Sequence, residues 1–207
     1  MTTRPDLSPR AARTRSALIT AGFELLAERP IDAIPIDEVV SKAGVAKGSF
    51  FNHFADKQAF AEAIATEVRL ELEDQVAQAN AGIADPIARI AGGMRVCAHF
   101  AISNSKRTAV LLRSHASSTA RDHPLNKGLV ADFKAAHAIG LLRLEAQDSG
   151  VLYWIGLCQA LMANLVERQP NPAVADRRIS EMIILGLSGL GVSPGAASTL
   201  AEVVPDQ

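Results

Sequence analysis

Apolar residues recur along this chain three and four positions apart, which puts them on one face of an α-helix; no run alternates long enough to make a strand. Leu18, Ala21, Gly22, Leu25 and Leu26 form the first stripe. Ser8-Pro9 ahead of it supplies a capping side chain and a proline suited to the first helical turn, and Pro30 closes the helix. Ile36, Val39, Val40 and Ala43 make a second, shorter stripe that Gly44 stops. A third helix is predicted over about 47–53. Asp56 then caps a long fourth helix reaching about Asn80, with Phe60, Ile64, Val68 and Leu72 along one side.

Beyond Gly82 the same period predicts helices at about 85–102, 105–114, 125–147, 150–168 and 173–190, with a short one near 196–203. Breaks are expected at Asn104-Ser105, across 115–123, at Asp148-Ser149-Gly150 and at Gln169-Pro170-Asn171-Pro172. The predicted fold class is all-α. Five of the seven phenylalanines (Phe23, Phe50, Phe51, Phe54 and Phe60) fall in the first sixty residues. Aromatic rings let a small unit bury much area with few residues. We therefore expect a compact N-terminal domain over 8–56 and a larger helical domain over 57–207.

The segment 36–57, IDEVVSKAGVAKGSFFNHFADK, reads as two short helices joined by a four-residue link from Gly44 to Lys47. Such a helix-turn-helix can lay its second member in the major groove of DNA. The corner alone is common in helical proteins; the chemistry sharpens it. Lys47, Ser49, Asn52 and His53 fall near one another, while Phe50 and Phe54, four apart, can face the core. Short polar and cationic side chains can reach base edges and phosphates. The amide of Asn52 matches adenine N6 and N7. His53 reads equally as a surface residue or a phosphate donor. Lys57 opens the next helix, where its ammonium and the helix N-terminus could meet one phosphate.

The net charge of −1 offers no bulk attraction to a polyanion, so affinity for DNA must come from local placement. Residues 1–57 carry eight Lys/Arg against seven Asp/Glu. The bias lies at the start, where Arg4, Arg10, Arg13 and Arg15 face only Asp6. They read as a solvated arm or as phosphate contacts ahead of the helix pair.

AGVAKGSFFNHFADKQAF, preceded by the amphipathic first helix, resembles the N-terminal domain of the TetR (tetracycline-repressor) family of one-component transcriptional regulators. The resemblance covers about residues 12–72 in order and spacing; over 80–207 it rests on an all-helical layout and on length. It implies that the helix ending at Ala43 braces the recognition helix. It also implies that Lys47, Ser49 and Phe51 contact DNA and that Lys57 holds a phosphate. Three positions depart from the family's habit. Phe51 stands where tyrosine is frequent and lacks the phenolic donor. Ala46 replaces a serine N-cap, at a cost of about 0.5–2 kcal/mol. Pro35 replaces a threonine before the second helix.

A single helix-turn-helix reads few base pairs, and two-fold dimers solve this by reading paired half-sites. The dimer surface is predicted on the last helix pair. One stripe there is Leu152, Ile155, Gln159, Met162 and Val166, with Gly156 permitting close approach. The other is Ile179, Met182, Ile183, Gly186 and Leu190. By the resemblance, the middle helices enclose a pocket for a moderately apolar small molecule. Its candidate residues are Met94, Cys97, His99, Phe100, Leu111, Phe133, His137, Trp154, Cys158 and Asn164. The expected function is thus a repressor that binds a palindromic operator as a homodimer and is released by a small effector. The alternative is a helical ligand-binding or interaction module whose helix-turn-helix no longer reads DNA.

Cys97 and Cys158 lie outside any metal-ligand spacing, and MTTRPDLSPR lacks the apolar run of a signal peptide. Both features suggest a reducing, cytoplasmic setting with free thiols, mainly serving packing. Ser149–Val166 carries no formal charge, but it is short for a membrane span and Gln159 and Asn164 interrupt it. No cofactor or metal is expected. His99, His115, His123 and His137, with Cys97 and Asp122, are too dispersed to argue for an enzyme, and no HExxH or nucleophile elbow occurs.

Overall fold

The computed structural model describes residues 8–114 and 123–202, and among these there is no strand. The chain divides into two compact units. Among the described residues, the first holds 8–68 together with Ala109–Ser114; the second holds Arg69–Thr108 and 123–202.

In the first unit, α1 (Pro9–Glu28) starts where Ser8 Oγ accepts the Ala11 amide at 3.3 Å, and its buried residues are the five of the apolar stripe. α2 (Ile36–Ala43) ends at Gly44, whose φ of 66° takes the chain left-handed. There Gly44 N–H donates to Ser41 O at 3.1 Å and Val45 N–H to Val40 O at 3.0 Å, meeting carbonyls the helix end leaves open. α3 (Lys47–Phe51) follows after three residues, and α4 (Lys57–Ala79) begins where Asp56 Oδ1 accepts the Ala59 amide at 2.7 Å. The core joins Leu18, Leu25, Ile34, Val39 and Val40 to Phe50, Phe54, Phe60, Ile64 and Val110. Phe60 and Ile64 lie past residue 56 and Val110 far past it, so this unit extends beyond the first three helices. Arg113 donates to the Leu26 carbonyl and, at 3.4 Å, to that of Glu28, capping the end of α1.

α1 and α4 meet closely at Gly22. A Cβ there would sit 2.6 Å from Phe60 Cε1 and 2.7 Å from Ile64 Cδ1, so only hydrogen fits.

The second unit contains α5 (Pro86–Ser103), α7 (Lys127–Ala138), α8 (Ala146–Arg168), α9 (Pro172–Gly189) and α10 (Pro194–Glu202). α6 (Ser105–Arg113) contributes to both units. Ile90, Met94, Phe133, Trp154, Leu161, Ile179, Ile183 and Leu187 lie in the core. Arg95 is buried in the same unit, where it donates to the carbonyls of Leu200 at 2.9 Å and Ala201 at 3.1 Å in the last turn of α10.

One expected helix is two. The run 125–147 breaks at 139–145, and Asp148-Ser149-Gly150, expected as the break, lie inside α8. Gly140, at φ 71°, stops α7: its amide donates to His137 O at 3.0 Å and that of Leu141 to Ala136 O at 3.0 Å. Gly150 instead allows α7 and α8 to touch, since a Cβ there would meet Phe133 Cε1 at 2.6 Å. α8 is long and apolar enough to cross a membrane. Its Val151, Trp154, Ile155, Cys158, Leu161, Met162 and Leu165 are buried inside this unit, which accounts for that apolar composition by packing.

Candidate functional site

Two sites stand out, one in each unit. The first is the outer face of α3. Phe50 and Phe54 are buried, with ring centroids 5.1 and 4.8 Å from that of Phe60. This aromatic anchor fixes which side of a five-residue helix faces out. Lys47 and Asn52 are exposed, Ser49 and His53 are half-buried, and Phe51 is 54% exposed, standing edge-on to Phe50 at 5.4 Å. As expected from Ala46, α3 has no side-chain N-cap, and Pro35 supplies none to α2. Lys57 donates to the Asp32 carbonyl at 3.2 Å, and Gln58 donates to the Asp32 carboxylate at 3.1 Å. Arg10 and Arg13 are exposed on the first turns of α1. Arg15 is engaged otherwise: it pairs with Glu67 at 3.0 Å and lies 5.6 Å from the centre of the Phe54 ring. Arg4, His115 and Asp122 lie outside the described residues.

The second site is a cavity of about 420 Å³ within the second unit, lined from α4, α5, α7 and α8. Leu72, Val76, Leu129, Trp154, Ile155 and Met162 give it an apolar wall. Its charges are compensated locally. Arg69 pairs with Glu73 at 2.7 Å and reaches Asn126 Oδ1 at 2.8 Å; Arg89 pairs with Asp132 at 2.7 Å and donates to Ile83 O and Ala84 O. Asn80 donates to the Arg89 carbonyl at 3.0 Å, and its Oδ1 is buried without a hydrogen-bond partner. Cys97 and Cys158 share the wall. The Cys158 side chain, aided by the Arg69 charge, holds the Cys97 thiol below its usual range. Interaction with Cys97, together with burial, pushes the Cys158 thiol well up.

Residues 18–64 match the family model described as bacterial regulatory proteins, tetR family. That segment is a tetR-family domain. It is similar to the transcriptional regulator AcuR of Cereibacter sphaeroides, at 27% identity over 192 residues spanning 82% of this chain and 84% of that protein. An HTH-type transcriptional regulator of Bacillus subtilis, YvdT, shares 34% identity over 59 residues, 28% of this chain and 30% of its own. Among solved structures, a TetR family transcription regulator from Marinobacter aquaeolei VT8 superposes at a TM-score of 0.71. It has 12% identity and covers 89% of this chain and 98% of its own. RolR in complex with resorcinol matches at 0.62 with 21% identity, over 97% and 99%. The all-α architecture, with an N-terminal helix-turn-helix and a larger helical remainder, is shared with these solved structures, and the chain is a transcriptional regulator.

Several residues singled out from sequence fall elsewhere in this chain. Of the pocket candidates, Cys97, Trp154 and Cys158 line the cavity. Met94 and Phe133 are packed core, and Leu111 belongs to the first unit. His99 and Phe100 border a separate groove beside Arg95, His137 bonds Gln147 at 3.3 Å, and Asn164 accepts from Arg178. Of the dimer stripes, Ile155, Met162, Ile179, Ile183, Gly186 and Leu190 are buried within the protomer itself. Ile155, Gln159 and Met162 also line the cavity. Val166 and Met182 are half-buried, while Leu152 and Gly156 are exposed. The outward apolar side of the pair is instead Leu152 at 57% exposure, Tyr153 at 39% and Leu185 at 65%. Sequence reasoning missed Arg69, Glu73, Arg89 and Asp132, because charged residues at helical spacing read as a solvated face.

Proposed function

We propose that this regulator is a repressor that binds a palindromic operator as a homodimer and lets go when a small molecule enters the cavity. The observation that carries the reading is the α3 face. A ring as large as that of Phe51 stands uncovered among Lys47, Ser49 and Asn52, over an aromatic anchor that fixes its direction. An exposed ring among polar neighbours suits contact with a thymine methyl or a sugar. In this reading Asn52 and Ser49 read bases, His53 and Lys57 meet phosphate, and Arg10 and Arg13 add phosphate contacts from α1. Residues 8–56 serve as the DNA-binding domain and 57–207 as the ligand-binding and dimerisation domain. The reading places the protein in the cytoplasm, as a regulator rather than an enzyme.

Dimerisation would use the outward side of α8 and α9. Leu152, Tyr153 and Leu185 are uncovered there, and Gly156 has open space around it for an approaching helix. The effector would be neutral and moderately apolar: both cations of the cavity already have carboxylate partners, and a donor group could meet the unpartnered Asn80 Oδ1. Neutral phenols are a fitting first screen, given the resorcinol complex of the structurally similar RolR. α4 opens with Lys57 and later supplies Arg69, Leu72, Glu73 and Val76 to the cavity. An effector that favours the DNA-incompetent arrangement would release DNA by population shift.

Selecting bound duplexes from a random pool tests the reading. Recovery of an inverted repeat with half-sites about 34–36 Å apart is expected. Recovery of no common sequence would favour the alternative, an interaction module that has lost its operator.

A further inference from the structure

Arg95 on α5 has only 8% of its surface exposed, yet among the described residues no carboxylate pairs with it. Its Nη2 donates to the carbonyls of Leu200 at 2.9 Å and Ala201 at 3.1 Å, in the last turn of α10. Those oxygens answer part of the charge. A helix C-terminus carries about −0.5 of an elementary charge, against a full positive charge on the guanidinium. Capping α10 also engages one nitrogen of three; Nε and Nη1 meet no acceptor among the described residues. A buried charge left partly unanswered is costly, and it draws an anion. Arg95 lines a groove of about 300 Å³ beside α4 and α5. Gln75, His99, Ser103 and Asn104 share its wall, and their side chains make no hydrogen bond among the described residues. Ala79 and Val96 add apolar surface, and none of the described lining residues is acidic. In the central cavity, by contrast, Arg69 and Arg89 already have carboxylate partners.

We propose that this groove is a second binding site, separate from the central cavity, that takes a small monocarboxylate. The Arg95 Nη1 donates to the carboxylate, and the neutral donors of Ser103 and Asn104 serve its other lone pairs. The short apolar tail lies along Val96 and Ala79. A guanidinium suits this role because it stays charged when buried and is weakly hydrated, so little is lost on meeting the anion. A hydrogen bond between two ionised groups is also about twice as strong as a neutral one. The wall selects one negative charge. Arg95 is the one Lys or Arg among its described residues, so the second charge of a phosphate dianion would find no cation there. The apolar stretch beside it favours an organic acid over an inorganic ion. This binding rests on neither the DNA reading nor the cavity reading, and it is measured on the protein alone.

The test titrates the full-length protein, labelled with deuterium and nitrogen-15, with sodium butyrate and separately with butyramide, an uncharged ligand of the same skeleton. Butyrate should give saturable shifts of the Arg95 Nε resonance and of the His99, Phe100, Ser103 and Asn104 amides. A ligand this small should dissociate in roughly the millimolar range. Butyramide should bind at least about tenfold more weakly. Gln75→Glu puts a carboxylate on the groove wall with little change in side-chain size. It should weaken butyrate at least about tenfold while the amides of α10 stay in place. Equal binding of butyrate and butyramide would overturn the proposal. So would undiminished binding by Gln75→Glu, tighter binding of inorganic phosphate than of butyrate, or shifts confined to Trp154, Gln159 and Met162 of the central cavity.

Discussion

The Lys47 ammonium lies 2.8 Å from the Asp37 carboxylate, so the first turn of α2 neutralises the first cation of α3. Both side chains are largely exposed, which makes the pair weak and easily exchanged. In the proposed DNA complex, a phosphate competes with Asp37 for Lys47. Asp37→Asn should therefore tighten binding to any duplex by a few-fold at low salt, an advantage that fades as salt rises. Fluorescence anisotropy across a salt series reads this out. Weaker binding by the variant would mean that Asp37 positions Lys47 for DNA.

Lys57→Ala and Asn52→Ala should separate positioning from reading. Removing Lys57 should lower affinity on operator and random duplex alike and reduce the salt slope by about 1. Removing the Asn52 amide should instead cost about 1–3 kcal/mol on the operator and relax preference at one base position. Equal losses on both duplexes for Asn52→Ala would reassign it to backbone contact.

Gly22 sits where α1 and α4 approach closely. Gly22→Val must displace Phe60 and Ile64, and overpacking of this kind costs about 1–3 kcal/mol. Better helix propensity offsets less than about 1 kcal/mol of that. Urea unfolding should show a lower midpoint; an unchanged one would mean that α1 and α4 can separate without loss.

Arg95→Met removes the donor that meets the Leu200 and Ala201 carbonyls. Leaving buried carbonyls unmet costs about 1–3 kcal/mol. Hydrogen exchange should speed up in α10 while the amides of α1 and α2 keep their protection. Unaltered exchange in α10 would show that its apolar contacts alone hold it.

Leu185→Arg places a charge on the outward side of α9. Sedimentation velocity should show a shift from dimer to monomer, with folded helical content retained. A dimer that survives the substitution would move the interface off this surface.

Much of the first unit is legible in the chain. The five-residue stripe of α1 is its buried set because helical period maps directly onto one face. Gly44 marks a stop because a positive φ disfavours other residues. Phe50 and Phe54 turn inward because rings four apart share a side. The break at 139–145 is not legible in the same way. Ile139, Leu141, Leu142 and Leu144 look like continued helix, but the chain is diverted by Gly140 and held by the Arg143 amide on the Leu190 carbonyl at 2.9 Å, a bond to the far end of α9.

Sequence periodicity by itself determined that the chain is helical, where most helices begin and end, and which residues share a face, since each depends on neighbours within one turn. It could not say what each face meets. Ile155 and Met162 share a stripe with Leu152, yet they are covered by their own protomer while Leu152 is bare, because helix direction and packing partner are set by contacts distant in sequence. The same holds for the cavity. Arg69 with Glu73, Arg89 with Asp132, and Cys97 with Cys158 become a site only when four helices bring them to one wall.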